Sequence, residues 1–124
     1  MAKSKKILLV EDDEFILNMY RLKLEMENFE VLVAENGEKA INFFKEKDFD
    51  LVLLDIILPK KNGFEVLKEI KELKEKKGTP VILLTNLSQK EDVKKGIKLG
   101  ADDYLIKSHF LPSEIVAKVK KYLK

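Results

Sequence analysis

The apolar run Leu51-Val52-Leu53-Leu54 is unbroken, ends on Asp55, and is followed by the pattern breakers Pro59, Asn62 and Gly63. A strand that is apolar at every position has both faces covered, which points to a parallel sheet with helices packed on either side. Asp55 falls at the carboxyl end of that strand, where ligands and chemistry gather in open α/β sheets. A carboxylate there has two readings. It can start the next turn by capping it, or it can be presented for chemistry, and this stretch alone does not separate the two.

The rest of the chain repeats the pattern. Ile7 to Val10 is a second buried-strand run and ends at Glu11-Asp12-Asp13. Glu14 to Glu27 reads as a helix capped by Asp12 or Asp13, with Phe15, Met19, Leu22 and Met26 as its inward stripe, widened by Ile16 and Tyr20. Asn28 ends it, and Val31 to Ala34 is a strand. Asn36-Gly37 turns into a helix through Ala40, Ile41, Phe43 and Phe44, which leads to the strand ending at Asp55. Phe64, Leu67, Ile70 and Leu73 then fall at helical spacing until Gly78-Thr79-Pro80, and Val81 to Leu84 is a strand ending at Thr85-Asn86. Gln89 to Leu99 predicts a weaker helix on Val93, Ile97 and Leu99, in which Gly96 costs about 1 kcal/mol of propensity. Tyr104 to Ile106 is a last strand ending at Lys107, and Pro112 opens a helix with Ile115, Val116, Val119 and Leu123 inward. Five strands alternate with five helices, nothing repeats, and no stretch reads as a linker. Right-handed crossovers make this α/β chain a doubly wound five-stranded parallel sheet, one domain over residues 1–124.

Bulk properties close off several chemistries. The chain has no cysteine, so thiol nucleophiles, disulfides and zinc–thiolate sites are excluded, and one histidine, His109, removes multi-histidine metal sites. The run Ile7 to Val10 behind the basic N-terminus is too short for a signal-peptide core and far below the roughly 20 residues of a membrane span. A cytoplasmic location without membrane contact is expected. A net charge of +2 is too small to argue for direct nucleic-acid binding.

Parallel strands bring their carboxyl ends to one rim. That rim collects Glu11, Asp12 and Asp13 from the first strand, Asp55 from the third, Thr85 from the fourth and Lys107 from the fifth. Crowded carboxylates raise one another's pKa values unless a cation neutralises them. A hard divalent ion such as Mg²⁺ suits one or two carboxylates with waters and a phosphate. Lys107 supplies a compact positive charge and Thr85 a hydroxyl, both suited to phosphoryl oxygens. Together these describe a phosphoryl-transfer site with Asp55 as nucleophile.

At this point the sequence resembles the response-regulator receiver family of two-component signalling. The resemblance rests on Lys6-Ile-Leu-Leu-Val-Glu-Asp-Asp-Glu14, on Asp50-Leu-Val-Leu-Leu-Asp-Ile-Ile-Leu-Pro59 with Gly63, on Leu84-Thr85, and on Gly100-Ala-Asp-Asp-Tyr-Leu-Ile-Lys107. It implies a flavodoxin-like sheet of strand order 2-1-3-4-5. It also implies Asp55 as phosphoacceptor and a Mg²⁺ site made by Asp12 and Asp55 directly, Glu11 through water, and the backbone carbonyl of Ile57. Asp13 lies one place beyond the acidic pair and reads as a helix cap. Thr85 resembles the switch hydroxyl, Lys107 the lysine that pairs with the phosphoryl group, and Tyr104 the aromatic switch that turns inward as Thr85 moves. The implied donor is the phosphohistidine of a sensor histidine kinase or histidine phosphotransfer protein, or a small donor such as acetyl phosphate. The implied output is a changed surface on the Gln89–Leu99 helix, the last strand and the last helix, read by an effector protein or output domain. The chain would catalyse only its own phosphorylation and slow dephosphorylation. Lys94, Asp103, Glu114 and Lys118 match charged positions used for phosphorylation-dependent pairing in the winged-helix branch, so a homodimer belongs to the expectation.

Two positions depart from the family pattern. Asn86 stands where Ala or Gly is usual, and Ser108 where proline usually follows the lysine through a cis bond. A cis bond before serine costs about 2.5–4 kcal/mol, so trans is expected at Lys107–Ser108. His109 is expected as an exposed loop residue. A hydrolase using an aspartyl-phosphate would carry a second Asp two places after the nucleophile, where Ile57 stands. A flavin carrier would need an amide-rich phosphate loop where Glu11, Asp12 and Asp13 stand. A receiver-like interaction module that is never phosphorylated remains the alternative.

Overall fold

The computed structural model describes residues 4–76 and 78–123; Met1 to Lys3 of the basic N-terminal run, Lys77 and Lys124 lie outside them. The elements run β1 (Lys6–Val10), α1 (Glu14–Met26), β2 (Glu30–Ala34), α2 (Gly37–Glu46), β3 (Leu51–Leu54), α3 (Gly63–Glu72), β4 (Val81–Thr85), α4 (Lys90–Lys98), β5 (Asp103–Ile106) and α5 (Pro112–Tyr122). All neighbouring strands pair in parallel in the order β2-β1-β3-β4-β5, the doubly wound order expected. Among the described residues no helix is long and apolar enough to cross a membrane.

Side-chain alternation along the strands splits the interior into two layers. Ile7, Leu9, Leu51, Leu53, Ile82 and Leu84 meet α1 and α5 through Leu17, Leu24, Ile115 and Val119. Leu8, Val10, Val52, Leu54, Val81 and Leu83 meet the opposite helices through Ile41, Phe44, Leu67 and Ile70. The central strand β3 is buried at every position, so the sheet is covered on both faces. Asn62 and Glu65 close a reciprocal capping box on α3, and Asn36 caps α2 by accepting from Lys39 N–H at 2.8 Å.

Two elements differ from the sequence reading. The stripe expected to face inward on α1 is split: Phe15 is 80%, Met26 76% and Leu22 54% exposed, whereas Tyr20 is buried with Ile16 and Met19 packed beside it, and Leu17 and Leu24, outside the expected stripe, are buried. The helix carries two overlapping apolar stripes. Periodicity fixes their spacing but not which one turns inward; the turn out of β1 sets that phase. In that turn Asp13 N–H donates to the Glu11 carboxylate at 3.1 Å, and the Asp13 side chain caps α1 by accepting from Ile16 N–H at 3.0 Å. The second difference is at α3, which stops at Glu72 rather than running to Gly78. Leu73 N–H bonds the Ile70 carbonyl, and a 3-10 turn over Lys74–Lys76 follows.

Candidate phosphoryl-transfer site

β1 and β3 are neighbours, and the Asp55 N–H donates to the Val10 carbonyl at 3.0 Å, so Glu11 and Asp55 leave adjacent strand ends together. Both side chains are buried, as is Thr85 at the end of β4. Glu11, Asp12 and Asp55 each offer a carboxylate oxygen, and these atoms lie within 4.8 Å of one another. Asp12 is the exposed member, on the solvent side. Three hard oxygen donors at that separation fit a divalent cation that keeps several waters.

Lys107 reaches into the cluster from the end of β5. Its ammonium donates to Asp55 Oδ2 at 2.7 Å and to Glu11 Oε1, and the side chain is largely buried. The acids were expected to repel one another unless a cation neutralised them: besides its burial, the Asp55 charge does push Glu11 up, and the Lys107 ammonium bridges the two. Burial pushes the Lys107 pKa down, but its hydrogen bonds to Asp55 and Glu11 and their charges outweigh that, and the net direction is up. Burial raises the Glu11 carboxyl above the usual range, while the Lys107 hydrogen bond and the Asp13 N–H pull it back in part. One ammonium facing two carboxylates keeps its proton.

The two readings of Asp55 coexist. Oδ1 accepts from Ile56 N–H at 2.6 Å and from Ile57 N–H at 3.4 Å, which is turn capping, while Oδ2 faces Lys107. Capping fixes the carboxylate's orientation. Gly63 is what lets the loop close there: a Cβ on it would lie 2.2 Å from the Asp55 carbonyl oxygen and 2.6 Å from Ile56 Cα.

The expected switch residues also meet. The Thr85 hydroxyl accepts from Leu87 N–H at 3.3 Å, and the Tyr104 hydroxyl donates to the Leu87 carbonyl at 2.6 Å. Tyr104 is half-buried against the layer under α4, and desolvation pushes its phenol up to about 12. Leu87 enters this arrangement through its backbone, which carries no side-chain signal in a sequence. Ile57, the expected carbonyl ligand, lies in the capped turn with its side chain exposed. Among the described residues no peptide bond is cis, so Lys107–Ser108 is trans; His109 is exposed. Three of the four charged residues expected to pair copies, Asp103, Glu114 and Lys118, have local partners. The Glu114 carboxylate accepts from Leu111 N–H at 2.7 Å, Asp103 from the Tyr122 hydroxyl at 3.3 Å, and the Lys118 ammonium lies 5.8 Å from the Phe110 ring centre.

The sheet order and its rim define a doubly wound, flavodoxin-like α/β protein with a lysine-bridged acidic pocket at the strand ends. Residues 7–120 match the response regulator receiver domain, and the chain belongs to that family of two-component signalling domains. It is 44% identical over 111 residues to chemotaxis protein CheY of Halobacterium salinarum, covering 89% of this chain and 90% of that protein. It is 41% identical over 119 residues to transcriptional regulatory protein ResD of Bacillus subtilis, covering 96% of this chain and 48% of that one. The chain thus spans about half the length of the transcriptional regulators it matches. A CheY-like receiver domain protein from Methanospirillum hungatei superposes with a TM-score of 0.90 at 32% identity, covering 97% of this chain and 94% of that chain.

Proposed function

We propose that Asp55 accepts a phosphoryl group from the phosphohistidine of a sensor histidine kinase or phosphotransfer protein, or from acetyl phosphate, and that the resulting charge alters the surface of α4, β5 and α5 for a downstream effector or output domain. The observation that carries this reading is the buried Lys107–Asp55 pair at 2.7 Å, with Glu11 and Asp12 alongside. A carboxylate held by hydrogen bonds on both oxygens is a positioned nucleophile. The ammonium against it sits where the oxygens of an incoming phosphoryl group would gain negative charge. The P–N bond of phosphohistidine, or the P–O bond of acetyl phosphate, breaks as the Asp55–phosphorus bond forms.

Glu11, Asp12 and Asp55, with the Ile57 carbonyl, would hold Mg²⁺, which when bound supplies further charge neutralisation for the phosphoryl oxygens. Thr85 is the hydroxyl donor that closes on the product, and Tyr104 reports its movement. The added charge of about −2 is enough to bias a two-state loop and helix arrangement. A cytoplasmic location goes with such a donor. Intact-mass measurement after incubation with acetyl phosphate and Mg²⁺ tests the reading: wild type gains one phosphoryl group, and Asp55→Asn and Asp12→Ala, both folded, gain none. Wild-type protein that stays unlabelled would return the chain to the role of an unphosphorylated interaction module.

A further inference from the structure

Asn86 and Ser108, which the sequence singles out separately, touch. The Ser108 N–H donates to Asn86 Oδ1 at 3.2 Å. That bond needs a free N–H at 108, which a proline would lack, and an acceptor on a short side chain at 86. The last rung between β4 and β5 pairs Thr85 with Ile106, so the Asn86–Ser108 bond continues the seam beyond the strand ends through a side chain. On one side of it, Lys107 holds Asp55 and Glu11. On the other, the Thr85 hydroxyl and the Tyr104 hydroxyl both bond Leu87. Contacts therefore run Asp55, Lys107, Ser108, Asn86, Leu87, Tyr104, and the end of β5 closes the ring, since Lys107 directly follows its last residue, Ile106.

We propose that Asn86 is a positioning residue whose amide oxygen clamps the loop after β4 to the turn after β5, so that Lys107 and the Thr85–Leu87 segment move as one body. The functional half of this rests on the phosphoacceptor reading of Asp55; the clamp itself does not.

Asn86 and Ser108 are exposed, so substitution at 86 leaves the fold intact. In unphosphorylated protein, Asn86→Ala should speed hydrogen exchange at the Ser108 amide about fivefold, the equilibrium factor of one ordinary hydrogen bond. Asn86→Asp keeps an acceptor oxygen and should exchange at close to the wild-type rate. With acetyl phosphate and Mg²⁺, the wild-type Ser108 amide and Tyr104 ring resonances should shift together. In Asn86→Ala the Tyr104 shift should fall by at least half while the Ser108 shift persists. Equal Ser108 exchange in wild type and Asn86→Ala overturns the clamp. An unchanged Tyr104 response in Asn86→Ala overturns the positioning role. Wild-type protein that cannot be labelled removes the Asp55 reading, and Ser108 exchange then still decides the clamp.

Discussion

Tyr104 carries the most direct single-residue consequence. Burial holds its phenol at about 12, against 10.0 when unperturbed, and its hydroxyl can donate to the Leu87 carbonyl only while protonated. The native state therefore keeps this proton more tightly than the unfolded chain does. The stabilisation that results is complete below about pH 10 and is lost as pH rises through about 12. Tyr104→Phe lacks the titrating group, so its urea midpoint should fall less steeply than wild type across that interval. Lys107, also raised, titrates in both proteins, so the difference between the curves is the readout. Parallel curves would mean the hydroxyl is not held. At this scale the sequence was informative where side chains act: Glu11, Asp55, Thr85 and Lys107 do converge on one rim. It was silent where the backbone acts, as with the Leu87 carbonyl. It also could not tell that Lys107 would bridge the acids, because that depends on how far a flexible side chain reaches across two strands.

Among the elements, α1 and α4 show what periodicity can and cannot decide. On α1 the inward phase is set by Leu17, Tyr20 and Leu24. Leu24→Ala should cost about 2–5 kcal/mol as a buried truncation, whereas Met26→Ala, at 76% exposure, should stay within about 0.5 kcal/mol. Comparable losses at the two positions would restore the other stripe. On α4, Gly96 looks from sequence like the mark of a weak, mobile helix. The structure gives it a packing reason: a Cβ there would lie 2.6 Å from Leu83 Cδ1 and 3.0 Å from the Tyr104 ring. Alanine's advantage of about 1 kcal/mol in helix propensity thus competes with an overpacking cost of about 1–3 kcal/mol. Leu83 is fully buried, so its Cδ1 has little room to yield, and overpacking is the expected winner. Gly96→Ala should lower the melting temperature and displace the Tyr104 ring resonances. A stabilised Gly96→Ala protein with unmoved Tyr104 signals would contradict the contact.

For the whole molecule the question is how long a phosphoryl mark on Asp55 would last, since that sets the time over which any partner can read it. Hydrolysis needs a water in line behind the phosphorus and a polar side chain to hold it, a contribution of about 10²–10⁴ in rate. The residues two places beyond Asp55 and Thr85 are Ile57 and Leu87, both apolar. The structure separates them. Ile57 is exposed beside the capped Asp55 turn, whereas Leu87 is half-buried and packs on the layer under α4. A charge introduced at Leu87 would therefore disturb packing as well as chemistry, and Ile57→Asn is the clean variant. Asn86 is polar, but its amide oxygen accepts from the Ser108 N–H, which draws the side chain toward the turn after β5. Slow self-dephosphorylation is the expected outcome, with the mark removed chiefly by a phosphatase or by back-transfer. Decay of labelled protein after donor removal is the measurement. Ile57→Asn should shorten the half-life at least tenfold at unchanged melting temperature. Wild-type decay within seconds, unaltered by Ile57→Asn, would place the hydrolytic water under the control of some other group.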